Sequence, residues 1–263
     1  DTLTMTGDVV VTYTIKAKVS LQAAGDIKNT AKVTVNGVTG DVVSEVITPK
    51  VGTVVSKKTT TSTTYAPGEE ITYTLTETNS GGKSTVKVED LIASQKTTDA
   101  GGTSINAFSS WSYTSSVSGT GSVSGNTASG SSDIIDTLTM TGDVVVTYTI
   151  KAKVSLQAAG DIKNTAKVTV NGVTGDVVSE VITPKVGTVV SKKTTTSTTY
   201  APGEEITYTL TETNSGGKST VKVEDLIASQ KTTDAGGTSI NAFSSWSYTS
   251  SVSGTGSVSG NTA

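Results

Sequence analysis

The sequence predicts an all-β protein built as tandem immunoglobulin-like β-sandwich repeats, and three observations carry that expectation. Apolar and polar residues alternate with a period of two over short runs, and no helical period appears. The runs recur about every ten residues between Gly, Asn, Ser and Pro turn signals, the pattern of a two-sheet sandwich. Residues 1–128 recur without substitution as residues 136–263, an offset of 135 residues, so the chain is a tandem repeat.

In chain order, residues 1–49 read as strands at Leu3 and Met5, 9–19, 27–35 and 42–47, ended by Pro49. In the second of these Val9, Val11, Tyr13 and Ile15 share one parity and Thr12, Thr14, Lys16 and Lys18 the other, giving one core face and one solvent face. A new series begins with 51–58. Pro67-Gly68 is a turn signal, since proline presets φ at one position and glycine accepts positive φ at the next. The strand 71–79 puts Ile71, Tyr73 and Leu75 on one face and Thr72, Thr74, Thr76 and Thr78 on the other. The threonine ladder is a solvent-facing strand surface. Then come 83–92, a Gly- and Ser-rich stretch whose Phe108, Trp111 and Tyr113 are expected in the core, and the second copy of the opening strands. Residues 50–184 make one complete repeat. Residues 1–49 are read as the C-terminal strands of a split repeat, and 185–263 as the N-terminal strands of another.

Composition removes several functions. The 263 residues carry a formal charge of −3, and all 20 basic residues are lysines, so there is no arginine for bidentate recognition of phosphates or bases and no nucleic-acid partner is expected. No apolar run is long enough to cross a bilayer as a helix, so no membrane insertion is expected. Cysteine and histidine are absent, which removes disulfides, thiol catalysis, the usual imidazole base and most transition-metal sites. Neither a cofactor nor a metal is expected, and the chain is read as no enzyme beyond a single-turnover reaction on itself. Its first residues resemble neither a signal peptide nor a natural start, so it reads as a piece of something longer.

Four blocks, Val55-Ser56-Lys57, residues 66–79 beginning Ala66-Pro67-Gly68-Glu69, residues 86–92, and residues 162–168, resemble in order and spacing the DUF11-type repeats of bacterial and archaeal surface proteins, which look like relatives of collagen-adhesin domains. The resemblance covers residues 50–184. It implies an immunoglobulin-like sandwich that extends a surface protein, often stiffened by a lysine–asparagine isopeptide bond that a neighbouring acid promotes. The sequence departs from the family pattern at Glu77, where an apolar residue is usual, and at Ala93, where a proline often follows.

Strand parity tests such a bond independently. Lys57 shares its parity with Val51 and Val55, Asp90 with Val86 and Val88, and Asn164 with Ile162, Ala166 and Val168, so each is expected to point inward. A buried lysine escapes its desolvation cost by becoming a neutral, nucleophilic amine, and a buried acid holds a proton that it can pass to an amide oxygen. Asp90 ranks first as the acid because its place in the 86–92 block matches that of the acid in the resembling domains. Glu77 is its rival, Asp136 a third candidate, and Lys58 the alternative nucleophile if a bulge shifts the first strand by one. The plainer reading is a strand-end lysine reaching solvent and an asparagine in a turn. The equivalent groups of the split repeat are Lys192, Asp225 (with Glu212 as the rival acid) and Asn29; where the halves meet between molecules, the same chemistry joins chains.

The function expected is therefore that of an extracellular or cell-surface extender in a fibre or adhesin stalk. Its partners are neighbouring repeats, with self-assembly through the split halves. The alternative is an adhesin module gripping a glycan or host protein through loops 99–106 and 116–132, but these are mainly Gly, Ser and Thr.

Overall fold

The computed structural model describes residues 1–21 and 23–260; residues 22 and 261–263 lie outside them. Residues 50–184 form an all-β, two-sheet sandwich. Its principal strands are β1 (Thr53–Thr60), β2 (Glu70–Ser80), β3 (Lys83–Asp90), β4 (Phe108–Gly119), β5 (Ile134–Thr141), β6 (Val144–Val154), β7 (Thr165–Val170) and β8 (Val173–Val178). One sheet runs β4-β6-β2-β1 and the other β5-β3-β7-β8, all neighbours antiparallel; the short strands Ser129–Gly130 and Ser122–Ser124 extend the β4 and β5 edges.

The expected alternation explains which faces meet. Ile71, Tyr73 and Leu75 of β2 and Val146, Tyr148 and Ile150 of β6 are buried against Val86, Val88 and Leu138 of the other sheet. Burial of each such side chain stabilises by about 1.5–3 kcal/mol. Phe108 and Tyr113 join that core, and Trp111 packs at its margin. The Pro67-Gly68 turn forms as expected, with Gly68 at φ 80° and Glu69 N–H donating to Ala66 O at 3.0 Å.

The two ends of the unit lie at opposite ends of β2. The chain enters beside Lys83, whose N–H donates to Lys50 O at 2.7 Å, and Thr53 then pairs with Ser80 at the C-terminal end of β2. It leaves beside Tyr65, just ahead of the N-terminal end of β2, where Thr183–Pro184 pairs in parallel with Thr64–Tyr65 and Lys185 N–H donates to Tyr65 O at 2.7 Å. An 11-residue strand separates the two by roughly 35 Å. The same Lys185 accepts from Lys218 N–H at 2.7 Å, so one residue is bonded to the repeat it leaves and to the segment that follows. Its ammonium also reaches Glu69 at 2.8 Å.

The split halves correct one expectation. Strands were expected at Leu3–Met5 and 9–19, yet residues 1–20 form no strand, although their counterparts 138–140 lie in β5 and 144–154 are β6. The difference lies in the partners. In residues 50–184 β6 is held by β2 and β4, whereas residues 9–19 pair with no strand among the described residues. Local pairings survive: Thr30–Val35 pairs with Val38–Val43 in the register of β7 with β8, and Thr188–Thr195 pairs with Tyr208–Ser215 in that of β1 with β2.

Candidate functional site

Three polar residues, Lys58, Asp90 and Asn164, are buried between the sheets, and the first two are paired. Lys58 is on β1, the edge strand of its sheet, opposite Leu75. Its Nζ lies 2.5 Å from Asp90 Oδ2, and both side chains are 0% exposed. The ammonium stands 5.8 Å from the centre of the Tyr73 ring, which meets Phe108 edge-on at 6.0 Å. Asp90 ends β3, and its other carboxyl oxygen has no partner among the described residues.

Asn164 immediately precedes β7. Its backbone continues the β7–β8 ladder through Ser179, whose Oγ accepts from Asn164 N–H at 3.1 Å and whose N–H donates to Asn164 O at 3.0 Å. On the β3 side Val168 pairs with Val88 and Lys167 with Glu89. The pairing ends at Lys167 and Glu89, and Asp90 and Asn164 lie just beyond it at the ends of neighbouring strands. Beyond Asp90 the strand is replaced by a side chain: Gln95 accepts from Thr165 N–H and donates to Thr165 O, both at 3.1 Å. The Asn164 side chain is fully buried, and among the described residues neither its Oδ1 nor its Nδ2 has a partner. A buried amide left unpaired costs about 1–3 kcal/mol for each group.

Burial acts on both ionisable groups in the direction that favours neutral forms. It lowers the Lys58 pKa below the ordinary lysine value, against the pull of Asp90. It raises that of Asp90, against the pull of Lys58. The arrangement can hold an amine and a carboxylic acid side by side, and the same core contains the Asn164 amide, whose hydrogen-bonding capacity is unused among the described residues.

Lys57, expected to point inward, is exposed, and its neighbour Lys58 takes that place. No bulge is involved, because β1 pairs with β2 without a break from Thr53 to Thr60. The parity was set by Val51 and Val55, and both prove to lie outside, Val55 at 61% exposure. Val54, Ser56 and Lys58 are the inward set. The strand's own pattern gave no signal for this, since an edge strand can leave a valine in solvent and turn a serine inward. Lys192 is corrected likewise: Lys193 pairs with Asp225, at 2.6 Å. Asp90 and Asn164 lie where they were expected, and Asn29 is exposed on the N-terminal half.

Glu77 is buried, but its partner is the Ser56 hydroxyl, which donates to one carboxyl oxygen. Its counterpart Glu212 receives Ser191 in the same way in a more open setting. Asp136 is buried and already occupied, accepting from Thr127 N–H at 2.8 Å, Thr127 Oγ1 at 2.6 Å and Tyr148 OH at 2.7 Å. In the loop 99–106, Asp99 closes its own turn by accepting from Gly101 and Thr103 N–H. Much of 116–132 is taken into strands. Among the described residues no helix is long and apolar enough to cross a membrane.

No known protein family and no curated protein matches the chain. Among solved structures it is similar to the C-terminal domain of the Streptococcus pyogenes antigen I/II-family protein AspA, at 14% identity over 60% of this chain and 54% of that one, with a TM-score of 0.26. A structure named BspA_C_mut is similar at 15% identity over 60% of this chain and 55% of that one, with a TM-score of 0.24. The chain thus spans about half the length of each, and likeness at this level carries no conclusion about function.

Proposed function

We propose that residues 50–184 are a load-bearing spacer of an extracellular or cell-surface fibre or stalk, closed internally by an isopeptide bond between Lys58 and Asn164. One observation carries the reading: the Lys58–Asp90 pair is fully buried, and at the start of β7, the strand beside β3, a fully buried Asn164 has no partner for its side-chain amide among the described residues. As a permanent arrangement that leaves buried polar groups unsatisfied; as a precursor each group has a role.

The neutral Lys58 amine attacks Asn164 Cγ while the Asp90 acid passes its proton to Oδ1, which makes that carbon electrophilic. The Nζ–Cγ bond forms, the Cγ–Nδ2 bond breaks, and Nδ2 leaves as ammonia carrying a proton that Asp90 relays from the attacking amine. Asp90 ends in its starting state. The bond ties β1 to the start of β7 and so joins the two sheets. Repeats in series through bonded joints such as Lys185 then act mainly on their neighbours, as in other repeat arrays.

The test is the intact mass of the chain under denaturing conditions. The expected mass is at least one ammonia below the sequence value, and Lys58→Ala and Asn164→Ala should each restore the missing ammonia of this repeat. A wild-type chain at the full sequence mass would overturn the bond.

A further inference from the structure

The bonded backbone at Lys185 is not the whole of the contact between residues 50–184 and the segment that follows. Beside it lies an open cleft lined by Ala159, Asp161, Lys185, Lys218 and Thr220, so no packed core backs the joint. A backbone joint alone leaves its two sides free to swivel, because φ and ψ are soft. A second contact stands on the loops 99–103 and 155–160. These are tied together by Ala159 and Gly160 N–H, which donate to Thr98 O at 2.8 and 3.1 Å. Against them lie Ser257 and Ser259. Ala100 N–H donates to Ser257 Oγ at 3.0 Å, Ser257 Oγ donates to Gln157 O at 3.1 Å, and Ser259 Oγ donates to Ala100 O at 2.7 Å. The Ser257 hydroxyl thus bridges both loops, and both main-chain groups of Ala100 are taken up.

Residues 50–184 present the same corner. The counterparts of Ser257 and Ser259 are Ser122 and Ser124, on the short strand that pairs with Thr139–Thr141 of β5. Val123 between them packs against the core, so alternation turns both serines the other way. Next to Thr141, the place a Cβ would take on Gly142 lies 3.2 Å from Leu21 O and 3.4 Å from Gly121 Cα. Leu21 is the counterpart of Leu156, whose carbonyl oxygen lies 3.9 Å from the Cβ position of Gly256, the counterpart of Gly121. The backbone joint recurs as well: Lys50 O accepts from Lys83 N–H as Lys185 O does from Lys218 N–H, both at 2.7 Å. The two corners therefore meet at both junctions.

We propose that loops 99–103 and 155–157 are the docking surface for the next repeat of the same chain, whose 256–259 corner, seated there, fixes the rotation of successive repeats about the Lys185 joint. The surface offers main-chain groups and the corner answers with serine hydroxyls. Ala100, Gly101 and Gly102 have too little side chain to hold a neighbour off, which is what a close main-chain approach requires. The contact stands apart from the Lys58–Asn164 bond: that bond stiffens a repeat internally, and the corner stiffens the line of repeats.

The chain has no cysteine, so a pair can be introduced cleanly. A Cβ on Gly101 would stand 3.7 Å from Ser259 Cβ, within the range of a disulfide. The full chain carrying Gly101→Cys and Ser259→Cys, oxidised in air, should lose two hydrogens, stay monomeric and run faster on a denaturing gel than when reduced. Free thiols, or disulfides formed only between molecules, would overturn the docking. Rotation is read on the full chain with spin labels at Lys57→Cys and Lys192→Cys, exposed positions one repeat apart. Their distance distribution by pulsed electron resonance should be narrow, and adding Ser257→Ala with Ser259→Ala should broaden it. Equal widths with and without the serines would overturn the fixing of the joint. Neither measurement reads ammonia loss, so a failure here leaves the internal bond and the spacer reading to their own test.

Discussion

Ser56 and Glu77 face one another across β1 and β2, and the serine hydroxyl donates to one carboxyl oxygen while the other oxygen is buried without a partner among the described residues. Burial raises the Glu77 pKa from 4.5 to about 7, with the Ser56 hydrogen bond opposing it.

The sign of the resulting pH dependence follows from the proton. The folded chain keeps a proton on Glu77 that the unfolded chain releases above pH 4.5, so folding is favoured at low pH and this contribution is lost as pH rises from 4.5 to about 7. The shift corresponds to roughly 3 kcal/mol. Glu77→Gln, which keeps an acceptor for Ser56 and carries no charge, should raise the denaturant midpoint at pH 8 and flatten its dependence between pH 5 and 8. An unchanged slope would place the titration elsewhere.

Lys57 and Lys58 should respond oppositely to truncation. Lys57→Ala removes an exposed side chain and should change stability by less than about 0.5 kcal/mol, with the ammonia still lost. Lys58→Ala should abolish the bond and, by leaving Asp90 buried without its partner, cost about 3–5 kcal/mol. Urea unfolding and intact mass on the two variants decide between them.

A Lys58–Asn164 bond takes the residues between them out of the load path. Pulled from its ends, residues 50–184 without the bond could extend by roughly 450 Å, whereas with the bond only the segments outside it can lengthen, roughly 100 Å. Single-molecule force extension of wild type and Asn164→Ala should give the short and the long increment respectively. Equal increments would mean that no bond spans the sheets.

Gly82→Ala should weaken the entrance to the repeat. A Cβ there would lie 2.1 Å from Lys50 O, the acceptor of the Lys83 N–H. The backbone must shift to admit it, at a cost of about 1–3 kcal/mol. A lowered melting temperature with the ammonia loss intact is expected, since the Lys58 cluster is elsewhere; an unchanged one would mean that the entrance contributes little.

Much of this was legible in the sequence because it depends on period and repetition. The β2 alternation, the Pro67-Gly68 turn and the inward placement of Asp90 and Asn164 follow from patterns on strands buried along their length. Apolar parity points to Lys57 rather than Lys58, but β1 is an edge strand, where Val55 can remain in solvent, so parity no longer marks the inner face. The strands of residues 1–20 were expected for a related reason. Their pattern is that of β6, but a strand also needs neighbours, and the sequence of a strand does not contain its partners. The exact repetition supplied the remedy, because the same residues appear once with their partners and once without.

The placement of entrance and exit at opposite ends of β2 also gives the molecule a polarity. Units that follow one another through a joint such as Lys185, bonded to Tyr65 on one side and to Lys218 on the other, all point the same way. The exit of one unit meets the entrance of the next through two different surfaces, so the contact is heterologous and has no two-fold axis.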